Sequence, residues 1–488
     1  MTTATTATTH EVPDGLRVQG FRTRRGFGLG GMSRPATITA AAVLIADGIV
    51  GARHPGTLLV TVPITLAFAG LAAARRHGMS ALAYYWAILA WRRANRSGSA
   101  SYRQVLLPQP YALDLPGVGA SSALIAAHDP TTGCPVGVVQ NRSTGAMAVT
   151  TLLAPGGTLM ATTNAVRAGL RSWSSVLDAM STDEQILGAS VTIQITPGAG
   201  EALADDVKAR RRPDAPRLAL DTIDELVRTT PRATASVAPW MTVIVDPTAG
   251  TNPATDLAEQ VAEALRVVDT LDLSGTGTDI VRRGTPTDLR RMVRSAYDPA
   301  VFDARDEDFA ELSWGECGPV AADDLLEAYA HDGAVSVSWV LREMPRRPIP
   351  YSVLLPLLSP GRFQRRVTIS YRVLDPIEGE AVLEREISNA EQRAQATAQV
   401  RGRAKWSQKA DYQRAEQAAH QAAGGAQVVD WTLRVTATAR CAAELPGARQ
   451  ELERAVKAAK GIRMRPAYGA QASTFAAGLP IGYHPLVK

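Results

Sequence analysis

Two apolar stretches decide how this chain is read: Ala36–Ala52 (ATITAAAVLIADGIVGA) and Thr57–Ala74 (TLLVTVPITLAFAGLAAA), parted by the polar turn Arg53-His54-Pro55-Gly56. A bilayer-spanning helix needs ~20 largely apolar residues, with ~17 as the short limit. The pair therefore predicts a transmembrane hairpin within residues 36–78, its spans at 36–52 and 57–74. Asp47 is a costly residue inside the first span, near its outer end. An apolar hairpin buried in a core is the other reading of the same residues. Arg75 and Arg76 close the second stretch, and Met79–Arg96 (MSALAYYWAILAWRRANR) follows. There Tyr84, Tyr85, Trp86 and Trp91 sit beside Arg92 and Arg93, the mixture of aromatic and basic groups that gathers at a bilayer interface. Arg17, Arg22, Arg24, Arg25 and Arg34 precede the hairpin, so the positive-inside rule predicts a multi-pass protein of the inner or plasma membrane with both termini and the main body cytoplasmic.

The chain has 488 residues and a formal charge of +5. Around the hairpin there is room for a basic arm (1–35), an interfacial helix with its linker (79–101) and two units of ordinary domain size, 102–300 and 301–488. The modest charge gives no reason to expect direct nucleic-acid binding. Cys134, Cys317 and Cys441 are far apart and odd in number, so they make neither a disulfide framework nor a zinc spacing.

The body reads as α+β. SALIAAH, PVGVVQ and AMAVTTLL, separated by turn residues, predict an antiparallel meander from Ser121. Thr162 or Asn164 can cap a helix to about Met180, and strands and helices alternate thereafter, with further strands at 189–196, 240–245, 334–342, 366–374 and 427–439. Glu378–Ala423 is rich in Ala, Glu, Arg and Gln and predicts a helical hairpin bent near Gly402. The order suggests two related units of the ferredoxin-like kind in topology, although no repeated sequence marks a duplication.

Enzyme signatures are missing. No glycine-rich loop ends in Gly-Lys-Ser/Thr, and no serine lies in a Gly-x-Ser-x-Gly setting. The histidines show no helical metal-pair spacing, and His331-Asp332 has no accompanying ligands. The reading is therefore non-catalytic, with no cofactor, metal or catalytic residue expected. Arg401–Arg414 carries Trp406 and Tyr412 among basic residues, a pattern better explained as a solvated helical face than as a nucleic-acid strip.

With these pieces in place, the sequence resembles a family of actinobacterial integral-membrane proteins encoded with conjugation or secretion machinery. The stretches that carry the resemblance are Tyr297-Asp298-Pro299, Trp314–Pro319, Tyr329–Gly333, Arg366–Pro376 (RVTISYRVLDP) and the ending, Tyr468–Gln471 with Phe475–Gly482 (FAAGLPIG). That ending is similar to the close of the N-terminal, non-ATPase module of VirB/TrbE/CagE-type conjugation ATPases, and the two-span hairpin is similar to a PrgI-like membrane subunit. The resemblance implies a non-catalytic inner-membrane subunit of a type IV-like apparatus, oligomeric within an assembly, whose partners are the lipid bilayer, a separate hexameric-type traffic ATPase and other secretion subunits. Trp406, Phe475 and Leu479 are the expected docking anchors, with closure of the chain's own core as the alternative role for the last two. An EccE-like component of a type VII translocon shares the same arrangement. A membrane-bound enzyme would need a clustered polar site that the sequence does not assemble.

Overall fold

The computed structural model describes residues 58–487 apart from short interior stretches (77–78, 105–113, 158–160, 198–206, 208–209, 211, 213–214, 230–234, 251–253, 302–305, 344, 346–347 and 402–405), with scattered positions before Leu58. The expected first span, its Asp47 and the turn after it lie largely outside the described residues.

The expected transmembrane hairpin is corrected by the helix that the second stretch forms. Helix α1 runs Leu58–Ala73, 16 residues with Pro63 inside. At ~1.5 Å per residue it is about 24 Å long, short of a ~30 Å hydrocarbon layer. Beyond it the chain leaves helical geometry, and Arg75–Arg76 pairs antiparallel with Met79–Ser80. Among the described residues no helix is long and apolar enough to cross a membrane. The multi-pass inner-membrane placement and the cytoplasmic orientation drawn from that hairpin fall with it.

Helix α2 (Ala81–Arg96) opens at Ser80, whose side chain accepts a hydrogen bond from the Ala83 amide. The body behind it is one antiparallel sheet of thirteen strands. In chain order these are β1 (Ser101–Arg103), β2 (Ser122–His128), β3 (Pro135–Asn141), β4 (Met147–Pro155), β5 (Ile186–Pro197), β6 (Ala235–Val245), β7 (Thr278–Arg283), β8 (Ala321–Asp324), β9 (Tyr329–His331), β10 (Ala334–Glu343), β11 (Gln364–Val373), β12 (Val429–Ala439) and β13 (Arg463–Pro466). The helices used below are α3 (Thr163–Thr182), α4 (Arg217–Thr229), α5 (Leu257–Asp269), α6 (Pro286–Tyr297), α7 (Pro376–Arg401), α8 (Trp406–Ala423), α9 (Leu445–Ala458) and α10 (Gln471–Ala476). The main path is β1-β8-β9-β10-β12-β11-β5-β6-β4-β3-β2, with β7 added on β4 and β13 on β10.

This order contains the same four-stranded unit twice. Strands β4, β5, β6 and β7 lie in the spatial order β7-β4-β6-β5, and β10, β11, β12 and β13 lie in the order β13-β10-β12-β11. Both are the fourth-first-third-second arrangement of a split β-α-β unit. They join through their second strands, β5 and β11, over seven register pairs from Arg365↔Ile195 to Tyr371↔Ala189. The units expected at 102–300 and 301–488 thus share a single sheet. The connection from second to third strand carries an insertion in both: α4 in the first, and the helical hairpin α7–α8 in the second.

Alternation along each strand sends successive side chains to opposite faces. One face is apolar and takes the crossover helices. Val176 and Met180 of α3 and Leu265 and Val268 of α5 pack there with Met147, Val149, Met241 and Val243. Ala448 and Leu452 of α9, with Leu357, pack with Val367, Leu433 and Val435. Helices have sound local reasons to begin where they do: Thr162 caps α3, Asp256 caps α5, and Thr285 with Asp288 forms a capping box on α6. The opposite face takes α6 and α10, the helices that follow the fourth strand of each unit, and it holds the candidate site.

Candidate functional site

The second face of the central strands is polar and yet buried. On β11 it presents Gln364, Arg366, Thr368 and Ser370; on β12 Thr436 and Thr438; on β10 Ser336 and Ser338; on β5 Thr192 and Gln194; all are buried. Buried hydroxyls need partners, and they find one another across strands. The Oγ–Oγ pairs are Thr150–Thr242 at 3.0 Å, Thr192–Thr368 at 3.0 Å, Ser336–Thr438 at 2.8 Å and Ser338–Thr436 at 2.9 Å. The result is a hydroxyl ladder running across both units.

The segment Tyr468–Gly482 covers this ladder. Gln471, fully buried, accepts from the Ser338 amide at 2.8 Å and donates Nε2 to the Ser338 carbonyl at 3.4 Å, occupying the edge of β10 between its pairings with β9 and β13. The Asp324 carboxylate accepts the Ala472 amide at 3.1 Å, and burial raises its pKa. Phe475, 0% exposed, enters a cluster of rings, with centroids 4.9 Å from Tyr297, 5.3 Å from Tyr329 and 5.0 Å from His331. His331 joins the layers: Nδ1 meets the Tyr297 carbonyl at 2.6 Å and Nε2 the Ser336 hydroxyl at 2.8 Å. Burial pushes its pKa down to about 3, so the ring is neutral and fully engaged. Burial likewise drives the Tyr297 and Tyr329 hydroxyls well above the ordinary tyrosine value. Further along, His484 meets the Ala189 carbonyl at 3.0 Å beside the bulge at Gly188, its pKa lowered by burial to about 4.

Two adjacent arginines show how unevenly charge is compensated here. Arg365 points to the helical face, where Glu451 pairs with it at 2.7 Å and the carbonyls of Leu357 and Ser359 accept from it. Arg366 points to the ladder and is buried, with no ion pair among the described residues. Its guanidinium stands 4.4 Å from the Phe475 ring centre, Nη2 reaches the Phe475 carbonyl at 3.5 Å, and Nε and Nη1 have no hydrogen-bond partner among the described residues. Burial lowers its pKa to about 10, which leaves it charged at neutral pH. A desolvated cation–π contact is worth about 2 kcal/mol, against several kcal/mol for burying an ion. Arg434, also buried on this face, donates to the Ser370 hydroxyl at 3.0 Å and likewise has no ion pair among the described residues.

Two of the residues expected at a bilayer interface contact the body. Tyr84 is buried edge-on against Tyr468 at 5.5 Å. Trp91 donates its indole NH to the Asp324 carbonyl at 2.7 Å. The α2 face that carries Tyr84, Ala87 and Trp91 is therefore docked on the body. Gly469, at φ +66°, makes this possible, because a β-carbon there would lie 3.2 Å from the Ala87 carbonyl oxygen. Tyr85, Trp86, Arg92 and Arg93 are on the exposed side of α2, and Arg75 and Arg76 form the short strand before it.

Of the expected docking anchors, Phe475 and Leu479 are buried in the chain's own core and offer no free surface. Trp406 opens α8, at the far end of the helical hairpin, and the placement of its side chain is outside the described residues. His331 and Asp332 serve a turn: Asp332, at φ +48°, accepts the amides of Val320 and Ala321. Among the described residues no group of His, Cys, Asp and Glu could hold a metal ion. Arg366 and its ladder escaped sequence reasoning because alternating polar residues normally mark a solvated sheet face. The available signal was Arg366 itself, an arginine in the alternation that continues through Thr368 and Ser370.

No family model matches the chain, and no curated protein matches it.

Proposed function

We propose that this chain is a non-catalytic docking subunit of a type IV-like secretion or conjugation apparatus, and that the hairpin α7–α8 is the arm that holds a separate traffic ATPase. The observation that carries this reading is the hairpin's place in the sheet. Strands β11 and β12 are antiparallel neighbours in register from Gln364↔Thr438 to Val373↔Val429. A two-residue turn suffices to join such strands, yet this chain inserts residues 374–428. The arm buries little beyond a seam that includes Leu383 and Ala390, while polar and charged groups cover most of its remaining described surface. A long paired-helix insertion that the sheet does not need for closure is suited to binding another protein.

The arm can be removed without breaking the strand pair, by replacing residues 375–427 with Asn-Gly. The shortened protein should keep the urea midpoint of the sheet and lose ATPase co-purification from the native host. Intact protein that brings down no ATPase, or shortened protein that still brings it down, would refute the proposal. The captured ATPase also identifies the system. A conjugation ATPase lacking its own N-terminal module indicates the type IV-like apparatus, whereas a type VII ATPase with small WxG-type substrates indicates the other.

A further inference from the structure

We propose that the covered polar face of the sheet binds a small inorganic anion of halide size, held by Arg366 with the Thr368 and Thr192 hydroxyls beside it. The inference does not rest on the docking arm. Two guanidinium groups, Arg366 and Arg434, are buried on the same face of neighbouring strands, diagonal to one another in the register that pairs Arg366 with Thr436 and Thr368 with Arg434. Neither has an ion pair among the described residues, although Arg365 next door has Glu451 at 2.7 Å. The unmet hydrogen-bonding capacity gathers at the same place. Nε and Nη1 of Arg366 lack partners among the described residues, as do Oε1 of its register partner Gln194 and the hydroxyl of Thr196, two residues further along the same face.

Ordered water could satisfy the donors but brings no charge, and it is charge that the two arginines lack. Gly478 brings the covering backbone close: a β-carbon at that position would stand 3.1 Å from the Thr368 hydroxyl and 3.4 Å from Arg366 Nε, so only glycine lets the segment lie against both donors. Because the covering segment lies so close to the sheet, the anion beside these donors is a single atom rather than an organic one. The Gln194 amide can turn its NH2 group to the same point.

The full chain is melted in sodium chloride and in sodium gluconate at matched ionic strength. Chloride should leave Tm nearly unchanged well below its dissociation constant and raise it by about 2 °C for each tenfold increase above it, and gluconate should not. Arg366→Met, which keeps the stem and removes the charge, should abolish the difference. Crystals of the unaltered protein grown in bromide provide a second reading that needs no variant to fold, with one anomalous peak expected in contact with the Arg366 guanidinium. Equal melting in the two salts, an undiminished chloride effect in Arg366→Met, or water in place of bromide at Arg366 would each overturn the proposal.

Discussion

Phe475→Ala tests whether the covering segment belongs to the core. The ring is fully buried, and truncating a buried phenylalanine costs about 3–5 kcal/mol in lost transfer energy and residual cavity. Arg366 also loses the ring 4.4 Å beneath its guanidinium, which adds about 1–2 kcal/mol. The total is roughly 4–7 kcal/mol. With an m-value near 3 kcal/mol/M, the urea midpoint should fall by about 1–2 M. Following both tryptophan fluorescence and far-UV ellipticity tests whether the loss is global. A cycle with Arg366→Met should give a coupling of about 1–2 kcal/mol, the cation–π share. An unchanged midpoint in Phe475→Ala, with ATPase capture lost, would refute the reasoning. It would mean that Phe475 faces a partner rather than the sheet.

Gln471→Leu removes both bonds to the Ser338 backbone and strands its buried amide, while the Ser338 carbonyl keeps the Ala467 amide at 3.0 Å, so stability should drop by about 1–3 kcal/mol in urea titration; an unchanged midpoint would contradict the edge-filling role. His331 and His484, whose folded pKa values are depressed to about 3 and about 4, are neutral in the fold and take up protons more readily when unfolded. Their contribution is complete above pH 6.5 and declines as pH falls toward 4, by up to about 1.4 kcal/mol per unit for each histidine; urea midpoints of His331→Gln and His484→Gln should show a flatter acid limb than the parent protein. Cys317 is buried and its thiol is pushed up to about 12 by that burial, so native protein should react with a thiol reagent at Cys134 and Cys441 only, with the third equivalent appearing on unfolding.

Much of the body was legible because its signals are local. The meander from Ser121 and the Thr162 cap follow from alternation and capping chemistry within a few residues of each site. The paired four-stranded units needed more, because strand order depends on contacts such as Arg366↔Gln194 that span well over a hundred residues. Leu58–Ala73 misled for a related reason: hydropathy counts apolar residues but not where the helix ends, and the backbone leaves helical geometry at Ala74–Arg76. Aromatic and basic residues in α2 matched an interface pattern, yet Tyr84 and Trp91 meet Tyr468 and Asp324, far away in sequence. Phe475 and Leu479 stood out as apolar, but only the fold says what they are apolar against. Strand alternation marked Thr368 and Thr438 as one-sided, and it could not tell that side from a wet one.

The hydroxyl ladder has a consequence during synthesis. Every strand it spans emerges from the ribosome before Gln471, so for roughly 2–6 s after β12 is made, at ordinary elongation rates, the newly formed sheet waits without its cover. An apolar face left open for that time would invite association with other nascent chains. Serine, threonine and arginine side chains instead keep the waiting surface wetted, and the same residues pair with one another once the cover arrives. A core that is dry when finished can thus remain soluble while unfinished.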